Sequence, residues 1–143
     1  MLNSDADLKR ILSDAKRIAV VGVSMNEARP SHYVARFLAQ QGYEVIPVNP
    51  GHAGKEVFGC TVVASLADID GPVDMVDIFR RSDQVMPIVQ SALELFPDLK
   101  SVWMQIGVED EAAAALARAR GVDVVMNRCP KIEHPRLIGP PSA

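Results

Sequence analysis

The sequence predicts an α/β fold: a doubly wound parallel sheet of about five strands with helices on both faces, giving three αβα layers. Three observations carry this. Apolar, β-branched runs recur at 18–23, 43–48, 73–79, 101–106 and 122–126. Stretches with helical spacing of apolar residues separate them, and turns rich in Gly and Pro mark the boundaries. Parallel strands joined by right-handed crossovers place the ligand-binding loops beyond the strand carboxyl ends.

Each element has its own signal. Ser4, with Asp7 three residues on, forms a capping box for a first helix to about residue 15, with Leu8, Ile11 and Leu12 on one face. The first strand, 18–23, leads to a helix over 31–41 that Gly42 closes, and strand 43–48 ends in the turn Asn49-Pro50-Gly51. Its polar loop continues through His52, Gly54 and Lys55, and Ser65 to Asp68 reads as a short capped helix. The run 73–79 is a buried strand interrupted only by Asp74 and Asp77, whose odd separation puts them on opposite faces. Ser82 caps a helix to about Phe96, in which Pro87 marks either the first turn or a kink. Strand 101–106 ends at Gly107. The alanine-rich helix 109–120 has acid in its first turn, Arg118 and Arg120 near its end and Gly121 beyond. Strand 122–126 completes the sheet, and the tail from Pro135, with Pro140-Pro141, reads as loosely ordered.

Composition limits the function. A chain of 143 residues with 48% hydrophobic content suits one domain over 1–143. A net charge of −3 argues against duplex nucleic acid or an anionic membrane as main partner. No apolar run reaches the ~18 residues of a membrane span, and the amino-terminal residues lack a signal-peptide pattern, so a cytoplasmic location is expected. Cys60 and Cys129 fit neither a disulfide framework nor a zinc site, and His32, His52 and His134 are too dispersed for a local metal motif. His134 is expected to pair with Glu133 or to be exposed. P-loop and G-x-S-x-G patterns are absent.

The strand-end loops carry the chemistry. The run Val20-Val21-Gly22-Val23-Ser24 opens a polar loop through Arg29 to Ser31 at a helix start, where free N–H groups and the helix dipole favour phosphate. Ser31 as a plain N-cap and Arg29 as a solvated residue is the structural alternative. A dinucleotide fingerprint needs Gly at 24 and 27, occupied here by Ser24 and Glu27. An NAD site also wants an acidic residue at the end of the second strand, where Asn49 and Pro50 are neutral. With His52 and Lys55 beyond, an extra ribose phosphate fits better, as in NADP or coenzyme A. Of the adjacent Arg80 and Arg81, one is expected to face the cleft, and Arg80 is favoured. Gln105 and Gly107 end the fourth strand, Gly107 as a small residue allowing close ligand approach. Cys129 follows the fifth strand, as a packing residue or a reactive thiol.

The segments 20–24, 29–31, 42–50, 73–82, 102–107 and 123–134 together resemble the stand-alone CoA-binding domain proteins, the YccU-like group. The resemblance covers about residues 17–138, and the amino-terminal domain of the succinyl-CoA synthetase α subunit is more distantly similar. It implies a Rossmann-like domain that binds coenzyme A. By position, Val23, Ser24, Arg29 and Ser31 would hold the pyrophosphate, and Asn49, Pro50 and Lys55 would lie near the 3'-phosphorylated ribose. Phe79, Arg80, Gln105 and Gly107 would line the adenine and pantetheine path. Without the ligases' second domain and its phosphorylated histidine, ligase activity is not expected, and a CoA- or acyl-CoA-binding protein is the leading reading. The alternatives are an NADP-binding oxidoreductase and an enzyme forming a mixed disulfide between Cys129 and CoA.

Overall fold

The computed structural model describes residues 3–139. In chain order its elements are α1 (Asp5–Asp14), β1 (Arg17–Val21), α2 (Pro30–Gln40), β2 (Glu44–Val48), β3 (Glu56–Val57), β4 (Cys60–Thr61), β5 (Met75–Ile78), α3 (Val85–Leu95), β6 (Ser101–Met104), α4 (Glu111–Ala119), β7 (Asp123–Val125) and α5 (Pro130–Leu137). The main sheet is fully parallel in the order β2-β1-β5-β6-β7. It is an α/β, Rossmann-like arrangement. The chain steps from β1 to β2, then returns past β1 to β5. The winding direction therefore reverses between β1 and β5, where such sheets open a crevice at the carboxyl edge.

Side chains alternate across the sheet and build two cores. Ile18, Val20, Met75, Trp103 and Val125 face α1, α2 and α5, where Leu8, Leu12, Val34, Leu38 and Cys129 cover them. Ala19, Val21, Val76, Ile78, Val102 and Met104 face α3 and α4, against Val89, Ala92, Ala113 and Ala117. Burying each Leu- or Ile-sized side chain contributes ~1.5–3 kcal/mol before the entropy of ordering is counted. Trp103 is fully buried, and its Nε1 donates to the Arg128 carbonyl at 2.8 Å, fixing the turn after β7. Among the described residues no helix is long and apolar enough to cross a membrane.

The helix starts follow local chemistry. Ser4 Oγ accepts from the Asp7 N–H at 3.1 Å and the Asp7 carboxylate accepts from the Ser4 N–H at 3.2 Å, as the capping box predicts. Asp110 caps α4 by accepting from the Ala113 N–H at 2.9 Å. Pro87 lies in the first turn of α3, where its missing N–H has no helical role.

Several expectations shift. Ser82 lies in a 3-10 turn ahead of α3, and its hydroxyl accepts from the Glu109 N–H at 3.0 Å instead of capping the helix. The N-cap of α2 is Arg29, so Ser31 is inside the helix. Residues 135–137, expected to be loose, belong to α5; Pro140-Pro141 lies outside the described residues. Tertiary ion pairs hold this helix. Glu133, 5% exposed, accepts from Arg128 at 2.8 Å and from Arg136 at 3.1 Å, while Arg136 reaches both Asp5 oxygens at 2.9 Å. His134 does not pair with Glu133 and is not exposed; it is buried edge-on against Phe37 and Tyr43, at 5.7 and 5.9 Å between ring centroids. Finally, β3 and β4 form a short hairpin just after the expected polar loop, where no element was predicted. Phe58 and Gly59 both have positive φ at its turn, as a two-residue loop matching strand twist requires.

Candidate functional site

Two cavities open along the carboxyl edge of the sheet, one on each face. The first, about 400 Å³, lies on the α3 side among Val21, Gly22, Val48, Pro50, Leu66 and Ile88. The second, about 670 Å³, lies between α2 and α5 and is lined by Arg29, Ser31, Tyr33, Phe79, Gln105 and Cys129. Arg80 lines both. Gly22, at φ +95°, lines the smaller cavity, and a Cβ there would lie 2.5 Å from the Phe79 carbonyl oxygen and 3.2 Å from Arg80 Cδ. The loops leaving β1 and β5 thus meet at the point where the winding reverses.

The start of α2 borders the larger cavity. No side chain caps it: Pro30 supplies the first helical position, and the Ser31 hydroxyl accepts the Ser24 N–H at 2.9 Å. Ser24 Oγ accepts from the Asn26 N–H at 3.0 Å, and Asn26 Oδ1 accepts from the Ala28 N–H at 3.0 Å, so the 24–28 loop is internally tied. The eleven-residue helix directs its positive end, with the Arg29 guanidinium beside it, toward an opening. That combination favours an anion.

The remaining residues singled out from the sequence divide clearly. Arg29, Ser31, Phe79, Arg80 and Gln105 come together around the larger cavity, and Pro50 borders the smaller one. Val23, Ser24, Asn49, Lys55 and Gly107 line neither. Val23 is fully buried. The Asn49 amide is spent on structure: Nδ2 donates to the Val23 carbonyl at 2.8 Å and Oδ1 accepts from the Gly51 N–H at 2.9 Å, clamping the loops after β1 and β2 together. Lys55 Nζ lies 3.4 Å from His52 Nδ1 on the exposed side of the hairpin loop. Gly107 has open space around its missing Cβ; what its φ of +85° requires is a residue tolerant of the left-handed region. Its N–H donates to Asn127 Oδ1 at 2.7 Å. Of the two arginines after β5, Arg81 points to solvent with a side chain 80% exposed and among the described residues pairs only with Asp83, at 3.4 Å.

Sequence reasoning missed Asp77. It is fully buried in β5, and its Oδ1 accepts from Gln105 Nε2 at 2.8 Å. Burial pushes its pKa up to about 7, against which the Gln105 hydrogen bond works. The available signal was its even spacing from Met75, which puts both on a helix-covered face. Also missed were Tyr33, Ile106 and Ile132, which add apolar surface around the larger cavity; Ile106 is 60% exposed and Ile132 59% exposed. Cys129 is reached from this cavity, but burial pushes its thiol pKa up while the Lys131 and Ile132 N–H groups pull it back. Little thiolate is present at neutral pH.

Comparison with known proteins gives a consistent answer. Residues 16–135 match the family model described as the CoA binding domain. Over 131 residues the chain is 42% identical to the uncharacterized protein YneT of Bacillus subtilis, covering 92% of this chain and 94% of that protein. The solved structure of cell-free ID.343 from Thermus thermophilus is 41% identical with a TM-score of 0.88, over 95% of this chain and 100% of that one. The dinucleotide-forming acetyl-coenzyme A synthetase 1 of Ca. Korarchaeum cryptofilum shares the fold at 24% identity, with a TM-score of 0.67 over 82% of this chain and 26% of the synthetase. The reversal of the winding between β1 and β5, the two cavities flanking it and the match over 16–135 agree: this chain belongs to the CoA binding domain family.

Proposed function

We propose that the protein binds coenzyme A, free or acylated, across the carboxyl edge of the sheet. The carrying observation is that Arg80, close against Gly22, lines both cavities, while the uncapped start of α2 lines the larger one. An elongated ligand with phosphates at its middle and dissimilar ends suits that arrangement. In this reading the adenosine 3'-phosphate half occupies the smaller cavity beside Val48 and Pro50. The pyrophosphate crosses between Arg80 and the start of α2, with Arg29 and Ser31 as further partners. The pantetheine arm runs past Phe79 and Gln105 toward Cys129. Among the other sequence-predicted residues, Ser24 and Asn49 serve by shaping the loops, and Val23 by packing beneath them. Lys55 lies beyond the cavity and acts on the 3'-phosphate only through long-range charge; Gly107 shapes the turn beside Gln105.

The family match supports coenzyme A over NADP. Titration calorimetry of ligand-stripped protein with CoA, dephospho-CoA and NADP tests the reading. Binding of CoA that weakens when the 3'-phosphate is removed is the expected result. No heat with CoA, or tighter binding of NADP, overturns it.

A further inference from the structure

Asp77 poses a physical question that ligand binding by the surface loops does not answer. It sits in the middle strand of the sheet, fully buried, and its Oδ2 has no hydrogen-bond partner among the described residues. A half-satisfied carboxyl group in a core is destabilising, and an apolar side chain there would remove the penalty. Its single partner is Gln105, 2.8 Å away, which is itself only 5% exposed and lines the cavity between α2 and α5.

A glutamine amide has a donor end and an acceptor end, and Asp77 in its charged form can only accept. Asp77 therefore takes the NH₂ end of Gln105 and leaves Oε1 as the end for the cavity; Oε1 makes no other hydrogen bond among the described residues. We infer that Asp77 is a positioning residue that fixes the orientation of the Gln105 amide, so that the cavity presents a carbonyl acceptor to an N–H donor on the ligand arm. This rests on the coenzyme A reading, in which the arm in that cavity carries secondary amides. It adds a recognition rule: the pocket selects an arm with an amide N–H at this depth and disfavours one bearing only acceptors there. The buried, half-partnered carboxyl group is then retained because an unanchored Gln105 could present either end.

The test is titration calorimetry at pH 8, where the Asp77 carboxylate is charged, with CoA and with adenosine 3',5'-diphosphate, which lacks the arm. Wild type is compared with Asp77→Asn, Asp77→Leu, Gln105→Met and the double variant Asp77→Leu/Gln105→Met. Gln105→Met is expected to weaken CoA about tenfold, the worth of one hydrogen bond. Asp77→Leu should fall by a similar factor. Asp77→Asn, which can hold the amide in either orientation, should lose about twofold. The double variant should be no weaker than Gln105→Met, and adenosine 3',5'-diphosphate should bind every variant within about twofold of wild type. In the free protein, the Gln105 side-chain NH₂ signals should exchange slowly with solvent in wild type and rapidly in Asp77→Leu.

Four results separate the readings. Unchanged CoA affinity in Asp77→Leu, with the loss confined to Gln105→Met, overturns the positioning role. Equal weakening of CoA and adenosine 3',5'-diphosphate in Asp77→Leu assigns Asp77 to structure alone. Unchanged CoA binding by Gln105→Met sinks the inference but leaves the coenzyme A reading standing. Wild type that takes no CoA removes both. Should Asp77→Leu fail to fold, Asp77→Val, closer in size to Asp and equally unable to hold the amide, must show rapid exchange of the Gln105 NH₂ signals, and slow exchange there overturns the proposal.

Discussion

Gly22 and Phe79 touch in a way that only glycine permits: a Cβ on Gly22 would stand 2.5 Å from the Phe79 carbonyl oxygen. The same two segments are tied by the Phe79 N–H donating to the Val21 carbonyl at 2.9 Å. The crevice floor is therefore set by backbone, with no side chain able to yield.

Gly22→Ala is accordingly expected to destabilise the fold by at least about 2 kcal/mol, combining the strain at φ +95° with the clash. Urea unfolding measures this directly. A variant within 0.5 kcal/mol of wild type, taking ~0.5 as the scatter of neutral substitutions, would contradict the close approach.

The three arginines of the two loops should behave differently. Arg29→Ala and Arg80→Ala are each expected to weaken CoA tenfold or more, on the scale of one charge-assisted hydrogen bond. Arg81→Ala, which removes a side chain 80% exposed and paired with Asp83, should leave affinity within about twofold. Calorimetry on the three variants decides; a large loss in Arg81→Ala would show that the wrong arginine has been placed at the cleft.

Asp77 gives the fold a distinctive pH dependence. Its folded pKa is raised from 3.8 to about 7, so between those values the native state holds a proton that the unfolded chain has released. Its stabilising contribution is complete below pH 3.8 and is lost as pH rises through about 7. The loss is on the order of 4 kcal/mol for a shift of this size. His134 acts in the opposite sense: burial lowers its pKa, so its contribution is present above pH 6.5 and is lost as pH falls. Unfolding free energies from pH 4 to 8 should rise more steeply with pH in Asp77→Asn than in wild type. Superimposable profiles would mean that Asp77 titrates normally.

The carboxyl-terminal helix offers a fourth check. Glu133→Ala leaves Arg128 and Arg136 without their shared, buried carboxylate and should cost about 1–3 kcal/mol. Asp5→Ala removes an exposed partner of Arg136 and should leave the melting temperature essentially unchanged. Thermal unfolding of both variants would expose the error if the order were reversed.

Much of the fold was legible because its signals are local. The alternation of β-branched runs with amphipathic helices marked all five strands of the main sheet, and the Ser4/Asp7 cap lies within three residues of the groups it satisfies; Asp110, expected inside the helix 109–120, instead caps it. The hairpin at Phe58-Gly59 escaped because its strands are two residues long and a phenylalanine at positive φ carries no turn signature. Residues 135–137 read as tail because their contacts are long-range: Leu137 packs against the core that α1 and α2 cover, and Arg136 meets Asp5 across 131 positions of sequence.

The same division holds at the site. Sequence alone determined that loops at strand ends, rich in small and cationic residues, would gather at one edge of a parallel sheet, since strand direction and crossover handedness leave little alternative. Tertiary structure decided which of those residues meet. It turned Arg80 toward the cavities and Arg81 toward solvent, spent the Asn49 amide on holding two loops together, and buried Asp77 against Gln105. Those outcomes depend on distances between segments far apart in the chain, and on the rule that buried polar groups must find partners, which local periodicity does not encode.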